Sequence, residues 1–161
     1  MIKPVKKLML VALLSALGSA GAMAAERSHF EHFITRDGAT LKDGDKVFRF
    51  AGIHAPELHR IEDDARGTCK ADTRGWGQYF RWPTAEEQEN WIKAMVQTGA
   101  RAQRVYVLSV QQTFDEACGR ETHILAPETT DGMPRLNEKA MRVYDNMIAE
   151  ADKQGLRLIL P

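Results

Sequence analysis

Three side chains that could do chemistry follow one predicted strand within six positions. They are His54, Glu57 and His59, and each is a type that binds metals, carries protons or hydrogen-bonds a polar ligand. Their spacing does not match the His-x-x-Glu-His or His-Glu-x-x-His zinc helices, and Pro56 breaks a helix that would place them on one face. We therefore expect no metal or other cofactor here. A metal-dependent hydrolase centred on His54 and His59 is the least favoured hypothesis.

A second group of candidate residues is aromatic, and it closes a long irregular stretch. Flat aromatic faces are the surfaces on which sugar rings stack through their C–H groups. Trp76, which lies between two glycines, is the better candidate for an exposed platform. The alternative is a hydrophobic plug that packs the loop on the following helix, and Trp91 is expected to be core. The clustered residues are Trp76, Tyr79, Phe80 and Trp82.

The two cysteines, Cys69 and Cys118, fall in the two long loops of the chain. Both loops are predicted to leave the same end of neighbouring strands, and an exported protein permits a bond between them. Closing a loop of about 50 residues stabilises a fold by up to roughly 4 kcal/mol in the chain-entropy model. We predict this disulfide, and the alternative is two unpaired thiols. Neither cysteine has a motif or a base that would make it a catalyst.

Length and composition fit one ordinary globular domain. The chain has 161 residues, of which 43% are hydrophobic, with 22 Lys and Arg against 22 Asp and Glu. A formal charge of zero argues against a nucleic-acid partner bound by bulk electrostatics. Two cysteines are too few for a small fold built on disulfides.

The first residues predict export. Lys3, Lys6 and Lys7 precede an apolar run over 8–22, which closes in Ala-Met-Ala ending at Ala24. This is the pattern of a secretory signal peptide over 1–24, with cleavage after Ala24. The run is short for a membrane span, so a retained anchor is the disfavoured alternative. We expect a mildly acidic mature protein over 25–161 that is periplasmic or secreted.

The elements that must position these side chains alternate along the chain. Two Asp-Gly pairs, at 37–38 and 43–44, predict small antiparallel strands that lead into a stronger strand over 47–53. A capping box then begins a helix at Thr84, and Gly99 ends it. The apolar run 104–110 is typical of a strand covered on both faces in a parallel sheet.

A second helix and a third strand complete the pattern. Asn137 is a candidate helix cap, Gly155 is a candidate stop, and the apolar run 156–160 predicts a strand. The predicted order is a hairpin followed by strand, helix, strand, helix and strand. This order predicts an α/β fold built from parallel βαβ units.

Three segments, in this order and spacing, resemble the beginning of a cellulase-like glycoside hydrolase of family 5, with mannanase-like relatives. They are FRFAGIHAPELH at 48–59, FRWPTAEEQ at 80–88 and RVYVLSV at 104–110. The stretch 137–160 is similar to the second helix and third strand of that family. The resemblance covers about residues 33–161, and its strength lies in the order of the pieces.

The resemblance implies the N-terminal portion of a (β/α)8 TIM barrel, a fold that usually needs about 250 residues. It implies an acid/base and a nucleophile glutamate about 5 Å apart, both expected beyond Pro161. It places Arg104 beside the nucleophile, where a guanidinium orients a carboxylate. The alternative for Arg104 is a local carboxylate partner. His54 stands where relatives often carry Asn, so its alternatives are a sugar contact or a bond to the loop backbone.

Two functional hypotheses follow. The first is an exported retaining glycoside hydrolase acting on a β-1,4-glycan such as mannan or cellulose, present here without its catalytic pair. The second is a non-catalytic exported half-barrel that binds a carbohydrate or a protein partner. The substrate-side residues predicted for the first are Arg104, His54, Glu57 and Trp76.

Overall fold

The computed structural model describes residues 28–62, 67–73 and 79–161. The predicted signal peptide and Trp76 lie outside these ranges. The described elements, in chain order, are β1 (Ile34–Asp37), β2 (Thr40–Asp43), β3 (Lys46–Phe48), a 3-10 turn (Pro56–Leu58), β4 (Ile61–Glu62), β5 (Phe80–Arg81), α1 (Ala85–Gln97), β6 (Ala102–Arg104), β7 (Ile124–Leu125), β8 (Arg135–Leu136), α2 (Glu138–Gln154) and β9 (Arg157–Ile159).

The first three strands form an antiparallel sheet in the order β1, β2, β3. Gly38 and Gly44 begin the two tight turns with φ of 58° and 59°, a left-handed conformation that glycine adopts without strain. The hairpins predicted from the Asp-Gly pairs are confirmed. The predicted strand 47–53 is wrong as a single element, because β3 ends at Phe48 and the chain then joins a different sheet.

The parallel sheet lies at the centre of the fold. β6 pairs in parallel with β9, with Arg104 opposite Ile159. On the other side of β6 runs the segment 51–55, whose Ala55 N–H donates to the Arg104 carbonyl at 3.0 Å. A Cβ atom at Gly52 would lie 1.8 Å from the Ala102 carbonyl oxygen, so this close approach requires glycine. The three parallel segments therefore stand in chain order.

The helix α1 begins as its sequence predicts. The Thr84 side chain accepts from the Glu87 N–H, and the Glu87 side chain accepts from the Thr84 N–H. Gln88 and Ile92 face the core, whereas Trp91 lies on the flank of that face and is 38% exposed. The expectation that Trp91 is core is therefore wrong, since the inward face is centred on Gln88 and Ile92 rather than on the tryptophan.

Gln88 joins three elements from a buried position. Its amide nitrogen donates to the Leu58 carbonyl at 2.6 Å and to the Val143 carbonyl at 2.9 Å. Its oxygen accepts from Asn146 at 2.7 Å. Every polar group of this amide is used, so burial costs it little. The contact fixes the turn before His59 against both helices.

The helix α2 also has the termini that its sequence predicts. The Asn137 side chain accepts from the Lys139 N–H, and Gly155 ends the helix in the left-handed conformation with φ of 75°. Both helices pack on one face of the parallel sheet. Their shared core consists of Ala55, Leu58, Ile92, Met95, Val105, Met147, Ala151 and Leu156.

The opposite face of the parallel sheet is open. His54, Arg104 and Ile159 are paired across the three parallel segments and are exposed. The prediction that 104–110 is a strand covered on both faces is wrong for the described chain, because β6 ends at Arg104 and Tyr106 and Val107 are 41% and 48% exposed. No helix in the described ranges is long and apolar enough to cross a membrane.

Candidate functional site

The candidate site lies where the parallel segments end. In a parallel sheet the loops that leave the carboxyl ends of neighbouring strands meet at one edge. Here these are the loops after Ala55 and Val105. The two long loops that carry Cys69 and Cys118 reach the same edge, and they bring Phe80 and Arg120 beside Arg60.

His54 and Arg104 meet at this edge. His54 Nδ1 lies 3.1 Å from the Arg104 carbonyl oxygen, which only accepts, so this nitrogen carries the proton and donates. Arg104 Nη1 lies 3.4 Å from the same nitrogen, and two donors do not bond. The Arg104 guanidinium is exposed and forms no ion pair with any described residue. Its N–H groups are free to bind a ligand or a carboxylate.

The other predicted site residues have different positions. Glu57 is half-buried in the 3-10 turn and makes no hydrogen bond or ion pair within the described ranges. His59 is fully buried and contacts His123 instead of His54. In the part of the chain that the structure describes, no group of three or more His, Cys, Asp or Glu could hold a metal ion.

Cations and aromatic rings alternate along the site. The Tyr106 ring lies 5.4 Å from the His54 ring, and the Arg60 guanidinium is 5.7 Å from the Tyr106 centroid. Arg60 also contacts Phe80. The centroid of the Phe80 ring is 4.0 Å from the guanidinium carbon of Arg60 and 5.6 Å from the guanidinium carbon of Arg120. Contacts within 6 Å of a ring are attractive. This series connects the sheet edge with the disulfide loops.

A cleft of about 450 Å³ opens beside this series. Trp82 is half-buried on its wall, and its indole N–H donates to Glu121. Lys139 Nζ lies 2.7 Å from the same carboxylate. A second cavity of about 210 Å³ shares Arg60, Phe80 and Glu121 with the first. The cleft therefore combines aromatic surface with charged hydrogen-bonding groups.

Trp82 serves both interpretations of the aromatic cluster. Its ring packs on the His123 ring in a T-shaped contact, with centroids 4.9 Å apart, as a plug would. It also lines the cleft, as a platform would. Phe80 likewise lines both cavities.

Below the cleft, a chain of hydrogen bonds joins Ser109, His123 and His59. The Ser109 N–H donates to His123 Nδ1 at 3.1 Å, so the proton of that ring is on Nε2. Nε2 then donates to His59 Nδ1 at 2.9 Å. Both rings are fully buried, and both are neutral in this arrangement. They position the loops and do not reach a ligand.

The pKa values agree with neutral histidines. Burial, followed by the positive charge of Arg60, lowers the pKa of His59 to about 4. Burial, followed by the proximity of His59, lowers the pKa of His123 to about 3. Loss of hydration disfavours the protonated imidazole in both cases.

The two long loops are held together covalently and electrostatically. Cys69 and Cys118 form a disulfide with their Cα atoms 5.7 Å apart. Arg120 Nη1 lies 2.8 Å from an Asp72 oxygen and 3.5 Å from an Asp115 oxygen, and all three side chains are at most 5% exposed. Bonds of this kind restrict the loops that carry Phe80 and Glu121.

Sequence reasoning missed Arg60, Glu121 and His123. Arg60 directly follows the predicted cluster at 54–59, so its position was a usable signal. Ser109 was a second signal, because it is a polar residue in an apolar run. Glu121 and His123 lie in a long polar stretch with no periodicity, and nothing near them in the sequence marks them.

The comparisons with known proteins bear on the fold. The chain has an α/β fold, and its parallel segments with two helices are consistent with part of a TIM barrel. A solved structure that it resembles is the endo-1,4-β-mannanase from Rhizomucor miehei, with a TM-score of 0.55 and 14% sequence identity. The match covers 80% of this chain and 29% of that chain. At this identity the likeness shows the fold alone.

No protein-family model matches the chain, and no curated protein matches it. The α/β class predicted from the sequence is confirmed by the two helices and the parallel pairing of β6 with β9. Membership of family 5 stays a prediction.

Proposed function

We propose that this chain is the N-terminal part of an exported, retaining glycoside hydrolase of family 5 type that acts on a β-1,4-glycan such as mannan or cellulose. The observation that carries the proposal is the cleft at the carboxyl ends of the parallel segments, where Trp82 and Phe80 lie beside Glu121 and Lys139. Aromatic faces with a few placed polar groups suit sugar rings and their hydroxyls. The named activity of the mannanase neighbour favours the same substrate class.

Each site residue has a role in this proposal. Trp82 and Phe80 supply apolar surface for sugar rings, and the Glu121 carboxylate with the Lys139 ammonium hydrogen-bonds hydroxyl groups. Arg104 holds the nucleophile carboxylate ionised and oriented from the open face of the sheet. The acid/base and nucleophile glutamates of a retaining mechanism belong to a part of the enzyme that this chain does not contain.

Export is part of the proposal. A signal peptide over 1–24 delivers the chain to the periplasm or the medium, where disulfides persist. The bond between Cys69 and Cys118 suits that environment.

Binding of oligosaccharides tests the proposal. We expect mannohexaose or cellohexaose to bind the purified chain in isothermal titration calorimetry, and Trp82→Ala to weaken binding at least tenfold. Trp91→Ala is the matched control, because Trp91 is an exposed tryptophan on α1 that does not line the cleft, and it should change affinity less than twofold. Equal losses in the two variants, or no binding by the parent chain, would overturn the proposal.

Turnover tests the assignment of the catalytic pair. We expect no release of reducing ends from mannan or carboxymethylcellulose by this chain alone. Turnover that Arg104→Ala abolishes and the exposed-surface change Lys46→Ala retains would show that the catalytic groups lie within the chain.

A further inference from the structure

The positively charged side chains around the cleft differ in whether they contact a carboxylate. Among the described residues, Arg60 is the cleft cation with no carboxylate within ion-pair distance. Each of the others has a partner: Arg81 with Glu87 at 2.7 Å, Lys139 with Glu121 at 2.7 Å, and Arg120 with Asp72 at 2.8 Å. Within the described ranges, Arg60 is thus the cleft cation whose guanidinium no carboxylate contacts directly.

Arg60 is also placed to meet a ligand. It lines both cavities, and its guanidinium lies 4.0 Å from the Phe80 centroid. Contact with the ring orients the guanidinium, so its N–H groups have a defined direction before a ligand arrives.

The surroundings of Arg60 favour a ligand that carries negative charge. The residue is half-buried, and burial lowers its pKa more than the nearby Tyr106, Glu62 and Asp115 raise it. An ionised group that has lost part of its hydration without a carboxylate in direct contact is costly, and an anion from a ligand offsets that cost. A planar guanidinium pairs with a carboxylate through two parallel hydrogen bonds.

We propose that Arg60 recognises the carboxylate of an acidic sugar, so that the glycan bound in this cleft contains hexuronic acid residues. This inference rests on the proposed function and names its substrate class more narrowly. One guanidinium, with the Glu121 carboxylate in the same cleft, matches a singly charged group. A phosphate dianion carries a second negative charge, which the Glu121 carboxylate in the same cleft would repel. Trp82 and Phe80 receive the sugar ring whose carboxylate Arg60 binds.

A matched pair of ligands tests the proposal. β-1,4-linked mannotriose and trimannuronate have the same linkage and ring stereochemistry, and they differ in the oxidation of C6. In NMR titrations of the 15N-labelled chain we expect trimannuronate to bind at least tenfold more tightly. Arg60→Gln should remove that preference and change mannotriose affinity less than twofold. Arg142→Gln, at an exposed position on α2, should leave both affinities unchanged.

The outcomes separate this inference from the proposed function. If mannotriose binds as tightly as trimannuronate, or if Arg142→Gln removes the preference as well, the acidic-sugar proposal fails and the glycan-binding proposal stands. If neither sugar binds, both fail. Inorganic phosphate is the third probe, and shifts at Arg60 as strong as those from trimannuronate would show a general anion site and overturn the inference. Arg60→Lys, which keeps the charge without the planar fork, should still weaken trimannuronate binding at least threefold.

Discussion

The helix side of the parallel sheet and the loops at its carboxyl ends, here called the carboxyl-end side, are held together by different kinds of interaction. On the helix side, Ile92, Val105, Met147 and Leu156 are at most 1% exposed, and they form a continuous apolar core. At the carboxyl-end side, the buried groups are the polar His59 and His123, the disulfide, and the triad of Arg120 with its two aspartates. The helix side is stabilised by the apolar surface area that it buries. The carboxyl-end side is stabilised by individual hydrogen bonds, ion pairs and the disulfide.

This difference between apolar packing and individual polar contacts indicates which part of the molecule determines the shape of the cleft. Apolar packing tolerates substitutions of similar volume, because no single contact dominates. A buried polar group that loses its partner keeps its full desolvation cost. The loops that carry Phe80 and Glu121 depend on the second kind of contact, so we expect the cleft to be more sensitive to single substitutions than the core is.

The largest loss of stability is expected from a substitution that breaks the buried ion pairs. Arg120→Met removes the guanidinium that pairs with the buried carboxylates of Asp72 and Asp115, and it should lower the free energy of unfolding by about 3–5 kcal/mol. Ile92→Val, on the helix side, should cost about 0.5–1.5 kcal/mol. Urea unfolding of both variants measures the difference. A smaller loss for Arg120→Met than for Ile92→Val would contradict the comparison between the two sides.

A second prediction concerns pH. Below pH 6.5 the unfolded chain protonates His59 and His123, whereas the folded protein does so only near pH 4 and pH 3. The unfolded state therefore binds more protons, and the free energy of unfolding falls as pH falls through this window. Each histidine contributes up to about 1.4 kcal/mol per pH unit.

Thermal unfolding between pH 7 and pH 4.5 checks this dependence. His123→Gln should make it shallower, because one of the two depressed groups is gone. His32→Gln changes an exposed histidine and should leave the slope as it is. Identical slopes in the parent chain and His123→Gln would show that the buried pair of His59 and His123 does not determine the pH dependence of stability.

The smallest expected effect is at the start of α1. Thr84→Ala removes the acceptor for the Glu87 N–H and should cost about 1 kcal/mol. Glu86→Gln, at the exposed neighbouring position, should cost less in thermal unfolding, since it removes no capping bond.

The hydrogen bond from Arg81, followed by that from the Thr84 N–H, lowers the pKa of Glu87 to about 2. That pKa should remain low in Thr84→Ala, because both of these donors are retained.

Local signals in the sequence predicted much of the fold. The capping box at Thr84, the stop at Gly155 and the Asp-Gly turns depend on neighbouring residues, and the structure has all of them. Trp91 was misplaced because helical periodicity fixes which residues share a face and not which part of that face is most deeply packed.

The site was less predictable for a physical reason. His59 and His123 are 64 positions apart, and Asp72 and Arg120 are 48 positions apart. Such partners have no shared spacing pattern, since they meet only when the strands align. His54 follows the predicted first strand and lies at the sheet edge. Arg104 was expected to open the strand 104–110, and it instead ends β6. For Arg60 the one usable signal was its position directly after the cluster at 54–59.

The spacing of the strands has a consequence for how the chain folds. His54 and Arg104 are 50 positions apart, and the disulfide joins residues 49 positions apart. Both contacts close loops of about the same length between the same two regions. The entropic cost of closure is met before the paired strands stabilise it, which makes parallel pairing slow. Whichever contact forms first shortens the search for the other, so oxidation of the cysteines and alignment of the first two parallel segments should proceed as one cooperative event.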